Sequence, residues 1–111
     1  MRFKRQRHKF NAVQTKRDGI NFSSKLEARY YDYLQLLVKA GEVVFFLRQV
    51  PFHLPGNITY RVDFQEFHKD GTVRFIDTKG VITDSFRDKK KQVEALYPVE
   101  IEIVKKVPQF Q

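Results

Sequence analysis

The segment from Ile58 to Lys79 constrains the fold more than any other. Ile58, Tyr60, Val62 and Phe64 alternate with Thr59, Arg61, Asp63 and Gln65, the two-residue period of a half-buried strand. Lys69-Asp70-Gly71 reads as a turn. Thr72–Lys79 reads as a returning strand, with Val73, Phe75, Asp77 and Lys79 on one face. Asp63 and Asp77 each interrupt an apolar run, where charge is rare. Loop length decides whether they meet. A two-residue Asp70-Gly71 loop pairs Lys69 with Thr72 and sends the aspartates to opposite faces. A three-residue loop pairs His68 with Thr72 and sets Asp63 directly across from Asp77. That loop needs a left-handed residue at its third position, and Gly71 stands there.

Directly opposed residues on paired strands have Cβ atoms about 4.5–5.5 Å apart. Two carboxylates at that spacing repel and raise a pKa unless a cation bridges them. Oxygen ligands in a chain without cysteine suit Mg²⁺ or Mn²⁺ better than zinc. Lys79 shares the face of Asp77, where an ammonium can position a water or neutralise a phosphate. The Asp-x-Lys spacing alone carries little weight, since it recurs at Asp88-x-Lys90. The weight lies in the joint pattern with the helices.

Upstream, Asp18-Gly19 between Val13 and Ile20/Phe22 reads as a small hairpin turn. Leu26, Tyr30, Tyr33, Leu34, Leu37 and Val38 then fall on one stripe of a helix over 24–40, stopped by Gly41. Glu27 lies inside that apolar arc. Ser24-x-x-Glu27 also fits a capping box, which gives Glu27 a structural alternative. Val43–Arg48 is β-branched and aromatic, and Phe52-His53-Leu54 continues it toward the Pro55-Gly56-Asn57 turn. Residues 85–97 read as a second helix stopped by Pro98, and 99–104 as a last strand. On that helix Lys89 sits in the arc of Val93, Leu96 and Tyr97, as a functional or a snorkelling lysine. The element order is α-β-β-β-α-β, an α/β chain.

The charge is uneven. The 111 residues carry a net charge of +8. Arg2, Lys4, Arg5, Arg7, Lys9, Lys16 and Arg17 face only Asp18 in the first eighteen positions. This pattern predicts a basic arm over residues 1–10, with Phe3, His8 and Phe10 interleaved, ahead of a single domain over 11–111. A polyanion, most often nucleic acid, is the expected partner. Lys25 and Lys89-Lys90-Lys91 extend the basic set. Zero Cys excludes disulfides, thiol catalysis and Cys-based zinc sites. The longest apolar run, Val43 to Leu47, is too short for a membrane span or a secretory hydrophobic region, so a cytoplasmic protein with no membrane partner is expected. His8, His53 and His68 show no metal-ligand spacing.

This constellation resembles the PD-(D/E)xK nuclease superfamily. Glu27 matches the first-helix glutamate, Asp63 the strand aspartate (with Val62 in place of the usual proline), and Asp77-Thr78-Lys79 the (D/E)xK strand. A closer likeness is to a small phage-borne family formerly of unknown function. It is carried by Asn11-Ala12, by the stretch from Asp18-Gly19-Ile20 to Leu26-Glu27-Ala28, by Gln49-Val50-Pro51-Phe52 and by Tyr97-Pro98. The chain is also similar to Tn7-type transposase endonucleases and very-short-patch endonucleases. The resemblance implies a restriction-endonuclease-like αβββαβ core with a mixed central sheet flanked by helices. It implies that Asp63, Asp77 and the Thr78 carbonyl bind Mg²⁺, with Glu27 in the inner shell or acting through water. It further implies that Lys79 orients the attacking water, Gln49 supports a ligand or the phosphate, and Lys89 contacts the scissile phosphate or a neighbouring one.

The expected activity is that of a Mg²⁺-dependent endodeoxyribonuclease, with Mn²⁺ as a substitute and Holliday-junction or branched DNA as a candidate substrate. A resolvase needs two active sites and so a homodimer, for which Phe45, Phe46 and Phe52 are candidate face residues. The first alternative is a non-catalytic nucleic-acid-binding module on the same fold. A basic RNA-binding protein would account for the charge but not for Glu27, Asp63 and Asp77 in apolar contexts.

Overall fold

At the Asp18-Gly19 turn both residues take positive φ, 53° and 77°, the geometry of a two-residue hairpin loop. It joins β1 (Thr15–Arg17) to β2 (Ile20–Phe22), the expected small hairpin. The computed structural model describes residues 15–109. The predicted arm over 1–10, with Arg2, Lys4, Arg5, Arg7 and Lys9, and the domain boundary at 11 lie outside the described residues.

Helix α1 (Lys25–Lys39) buries Tyr30 and Leu34 of the predicted stripe, with Tyr33, Leu37 and Val38 partly buried beside them, and also buries Ala28 and Tyr31, which the stripe leaves out. Ser24 is extended and its Oγ accepts from the Glu27 amide at 3.1 Å. At the other end Gly41 takes φ 81°. Its amide donates to the Val38 carbonyl, and the Glu42 amide donates to Leu37, both at 3.0 Å, a Schellman closure.

One mixed sheet follows, in the order β3 (Val43–Leu54), β4 (Ile58–His68), β5 (Val73–Thr78) and β6 (Ile101–Val104). The first three are antiparallel, and α2 (Asp84–Leu96) crosses over to bring β6 parallel to β5. The α-β-β-β-α-β order and the α/β class are those the sequence predicts. Helix α2 begins one residue before the predicted start because Thr83 caps it, accepting from the Phe86 amide at 3.1 Å.

The β4–β5 loop has three residues. The His68 amide donates to Thr72 O at 2.9 Å, and Gly71 takes φ 91°. The register, Phe64↔Ile76 through Phe67↔Val73, is the one that sets Asp63 opposite Asp77. The ladder between β4 and β5 stops at Phe64, whereas β3 and β4 stay paired as far as Leu54↔Ile58. Beyond Phe64 the β3–β4 ribbon is therefore two-stranded. Phe52 packs edge-on against Phe75 and Tyr97, with ring centroids 5.6 and 5.0 Å apart, so the ribbon curls over the end of α2.

The core has two parts. Phe22, Ala28, Tyr30, Tyr31, Leu34, Val43, Phe64 and Ile76 lie between α1 and the sheet. Phe52, Leu54, Tyr60, Val62, Phe86, Val93 and Ile101 lie between the ribbon, α2 and β6. Several expectations change here. Ile58, at the ribbon tip, is exposed, and so is Leu96, which the helical arc had placed inward. Of the three aromatics proposed for a dimer face, Phe52 is buried and Phe46 packs on Tyr31 and Phe64. Phe45 stays exposed and stacks on Phe67. No helix among the described residues is long and apolar enough to cross a membrane.

Candidate active site

Where β4 and β5 part, side chains replace the main-chain ladder. The Asp63 amide donates to Asp77 Oδ1 at 2.9 Å. In return, the Thr78 amide and hydroxyl donate to Asp63 Oδ2 at 2.9 and 2.8 Å. Each aspartate thus commits one oxygen to the junction and keeps the other. Asp77 Oδ2 is buried without a hydrogen-bond partner among the described residues. Asp63 Oδ1 receives one long contact, from Gln49 Nε2 at 3.3 Å.

An orphaned buried carboxylate oxygen is costly. Burial pushes the Asp77 carboxyl up to about 6; the Asp63 amide and Lys79 oppose the shift and Glu27 adds to it. Lys79, half-buried, follows two residues later with its Nζ 4.9 Å from the centre of the Phe86 ring.

Glu27 reaches the site from the first turn of α1, almost fully buried. The capping-box alternative holds only in half: Ser24 caps the helix, but the glutamate carboxylate turns inward. Its Oε1 accepts from Ser23 Oγ at 3.0 Å. Its Oε2 accepts from Gln49 Nε2 at 3.0 Å and from Arg48 Nη2 at 3.3 Å. Gln49 therefore bridges Glu27 and Asp63, and it does so from a left-handed backbone, φ 53°, inside a strand. A non-glycine residue there is strained, and such residues gather at functional sites.

The donor set fits a hard divalent cation in a limited way. Asp77 offers one oxygen without a partner among the described residues and Asp63 one held only by the long Gln49 contact, which suits an ion that keeps most of its waters, as Mg²⁺ does. Among the described residues no three His, Cys, Asp or Glu side chains converge as a full metal cage. The family model described as "Protein of unknown function (DUF1064)" matches residues 7–111. The chain belongs to the DUF1064 family. No curated protein and no solved structure matches it.

The structure brings together Glu27, Gln49, Asp63, Asp77, Thr78 and Lys79 of this DUF1064 chain. Other predicted residues are engaged elsewhere. Arg17 pairs with Asp32 at 2.9 Å, and Lys90 with Glu94 at 2.9 Å. Glu94 also accepts from the Ile101 amide, which ties Lys90 to the entry of β6. Lys89 is half-buried on α2, while Lys16, Lys25 and Lys91 are exposed.

Sequence reasoning missed two residues. Arg48 supplies the counter-charge to Glu27. Its signal was a lone cation in an apolar strand, next to the singled-out Gln49. Glu66, buried on the Val62–Phe64 face of β4, accepts a hydrogen bond from Tyr30 Oη and pairs with His68 Nε2 at 2.7 Å. Burial and the Glu66 charge push the Tyr30 phenol far up. Continuing the strand alternation two residues past Phe64 would have found Glu66.

Proposed function

We propose that the chain is a divalent-metal-dependent endodeoxyribonuclease of the PD-(D/E)xK type. One observation carries the reading: Asp63 and Asp77 brace the parting strands with one oxygen each, which leaves Asp77 Oδ2 without a partner among the described residues and Asp63 Oδ1 with only the long contact from Gln49, with Lys79 beside them. A purely structural junction has no need of a buried carboxylate with an orphaned oxygen. Asp63, Asp77 and the Thr78 carbonyl would hold Mg²⁺ or Mn²⁺, which would supply Lewis acidity toward a phosphoryl oxygen and a more acidic bound water. Lys79, steadied on Phe86, would orient the attacking water and offset charge that builds on the phosphate. Gln49 would fix Asp63 against Glu27. Exposed Lys25 and Lys91, and half-buried Lys89, would engage the DNA backbone. Branched DNA is the substrate we favour, which would call for a homodimer acting in the cytoplasm (of the host cell, if phage-encoded).

A second reading, a nucleic-acid-binding module without catalysis, is supported by the net charge of +8 and the exposed Lys16, Lys25 and Lys91. Cleavage of a four-way junction and a matched linear duplex in Mg²⁺, Mn²⁺ and EDTA, with Lys79→Ala alongside, separates the two. Metal-dependent cutting lost in the variant is the expected result. Salt-sensitive binding with no cutting in either metal overturns the nuclease reading.

A further inference from the structure

We propose that Arg48 takes the place of a second cation in this site, so that Asp63 and Asp77 hold a single divalent ion and Glu27 holds none; this rests on the metal-site reading above. In a regular strand, successive side chains point to opposite faces. Arg48 and Gln49 are neighbours in β3, yet both reach Glu27 Oε2. The left-handed backbone at Gln49 accompanies that convergence. The result is a carboxylate with both oxygens already accepting: a hydroxyl on Oε1, and an amide and a guanidinium that fill Oε2.

Arg48 is fixed as well as close. Its guanidinium carbon lies 4.4 Å from the centre of the fully buried Phe22 ring. Its side chain is 22% exposed, so the pair with Glu27 is shielded from water. A guanidinium cannot be deprotonated to make room for a metal. A cation recruiting Glu27 through Oε2 would have to displace Arg48 and leave that charge against the Phe22 ring without its counter-ion.

Charge counting agrees. Glu27, Asp63 and Asp77 face Arg48 and Lys79, which leaves one negative charge. A single divalent ion and one phosphodiester would bring the site to neutrality. A second ion would leave two positive charges unopposed. Arg48 thus acts as a positioning residue, holding Glu27 as the outer anchor of Gln49 and, through it, of Asp63.

The test counts metal ions on the full chain by isothermal titration with Mn²⁺ near neutral pH. Wild type is expected to bind one ion, and Asp77→Asn none. Glu27→Gln should keep the ion, with affinity lowered by no more than about 100-fold, the range seen when an outer-shell partner is changed. Arg48→Met should bind two, and the double variant with Glu27→Gln should return to one. Two ions on wild type, loss of the ion in Glu27→Gln, or an unchanged single ion in a folded Arg48→Met overturns the proposal. If Arg48→Met fails to fold by circular dichroism, the wild-type count and Glu27→Gln decide it. No Mn²⁺ on wild type overturns the metal-site reading too, whereas one ion with an unaltered Arg48→Met overturns the proposal and leaves the metal-site reading standing.

Discussion

The Asp77 carboxylate accepts from the Asp63 amide at 2.9 Å, just beyond the point where the β4–β5 ladder ends. The strand is held, but at the expense of burying a charge. The folded-state pKa is about 6 against an ordinary 3.8, because burial disfavours the ionised form. A raised carboxyl pKa contributes stability that is complete below the unfolded value and is lost as pH rises through the folded one. The difference corresponds to about 3 kcal/mol at neutral pH. We therefore expect the metal-free protein to gain stability as pH falls from neutral toward 4. Asp77→Asn should abolish this contribution, raise stability at neutral pH by about 1–3 kcal/mol and eliminate cleavage. Urea unfolding in EDTA across that range checks it. An Asn variant less stable than wild type at neutral pH would contradict the account.

The Lys79 ammonium lies by the Phe86 ring and in the field of Asp77. Lys79→Ala should reduce cleavage by about 10²–10⁴-fold, the usual range for a group that manages a proton or charge in the transition state. Its stability should stay within about 1 kcal/mol of wild type. Single-turnover cleavage and urea unfolding on the same preparations separate the two effects.

Gln49 combines an awkward backbone with a useful side chain. Gln49→Gly and Gln49→Ala both remove the bridge between Glu27 and Asp63. Only glycine relaxes φ 53°. The glycine variant should be the more stable of the two by about 1 kcal/mol, while both lose activity to a similar degree. Equal stabilities in thermal unfolding would mean that the backbone at this position is not strained.

Glu66 should matter for folding rather than for cleavage. Glu66→Ala strands the Tyr30 hydroxyl and the His68 ring nitrogen beneath α1 and should destabilise by about 2–4 kcal/mol. Tyr30→Phe leaves the carboxylate its His68 partner and should cost less. Chemical denaturation ranks the pair, and the reverse order would displace Tyr30 and Glu66 from this role.

For DNA binding, Lys25→Ala and Lys91→Ala should each reduce the slope of log affinity against log salt by about 1. Lys90→Ala and Arg17→Ala should change the slope less, because those cations already face Glu94 and Asp32. A titration by fluorescence anisotropy at several salt concentrations reads both.

The β4–β5 hairpin was legible because one glycine fixed its loop length. Gly71 at the left-handed position selected the three-residue loop, and the opposition of Asp63 and Asp77 followed. The ends of α1 were legible because Ser24 is a strong start signal and Gly41 a strong stop signal. The curl of the β3–β4 ribbon was not. It depends on β5 ending its pairing at Phe64, a tertiary event with no local residue code, and it buried Phe52, which a strand-level reading had left on the surface. Arg48 was missed for the same reason. Strand parity sets it apart from Gln49, and only the unusual backbone between them reunites the two at Glu27.

Asp63 sits between Val62, which belongs to the α2-side cluster, and Phe64, which belongs to the α1-side cluster. The chemistry proposed for this residue therefore lies on the seam between the two halves of the interior. An ion seated there would work as a rivet. Its arrival should slow amide exchange in the ribbon and at the end of β5 together, and its removal should loosen both. In this chain the place where a phosphodiester would be cut is also the place where the interior is joined.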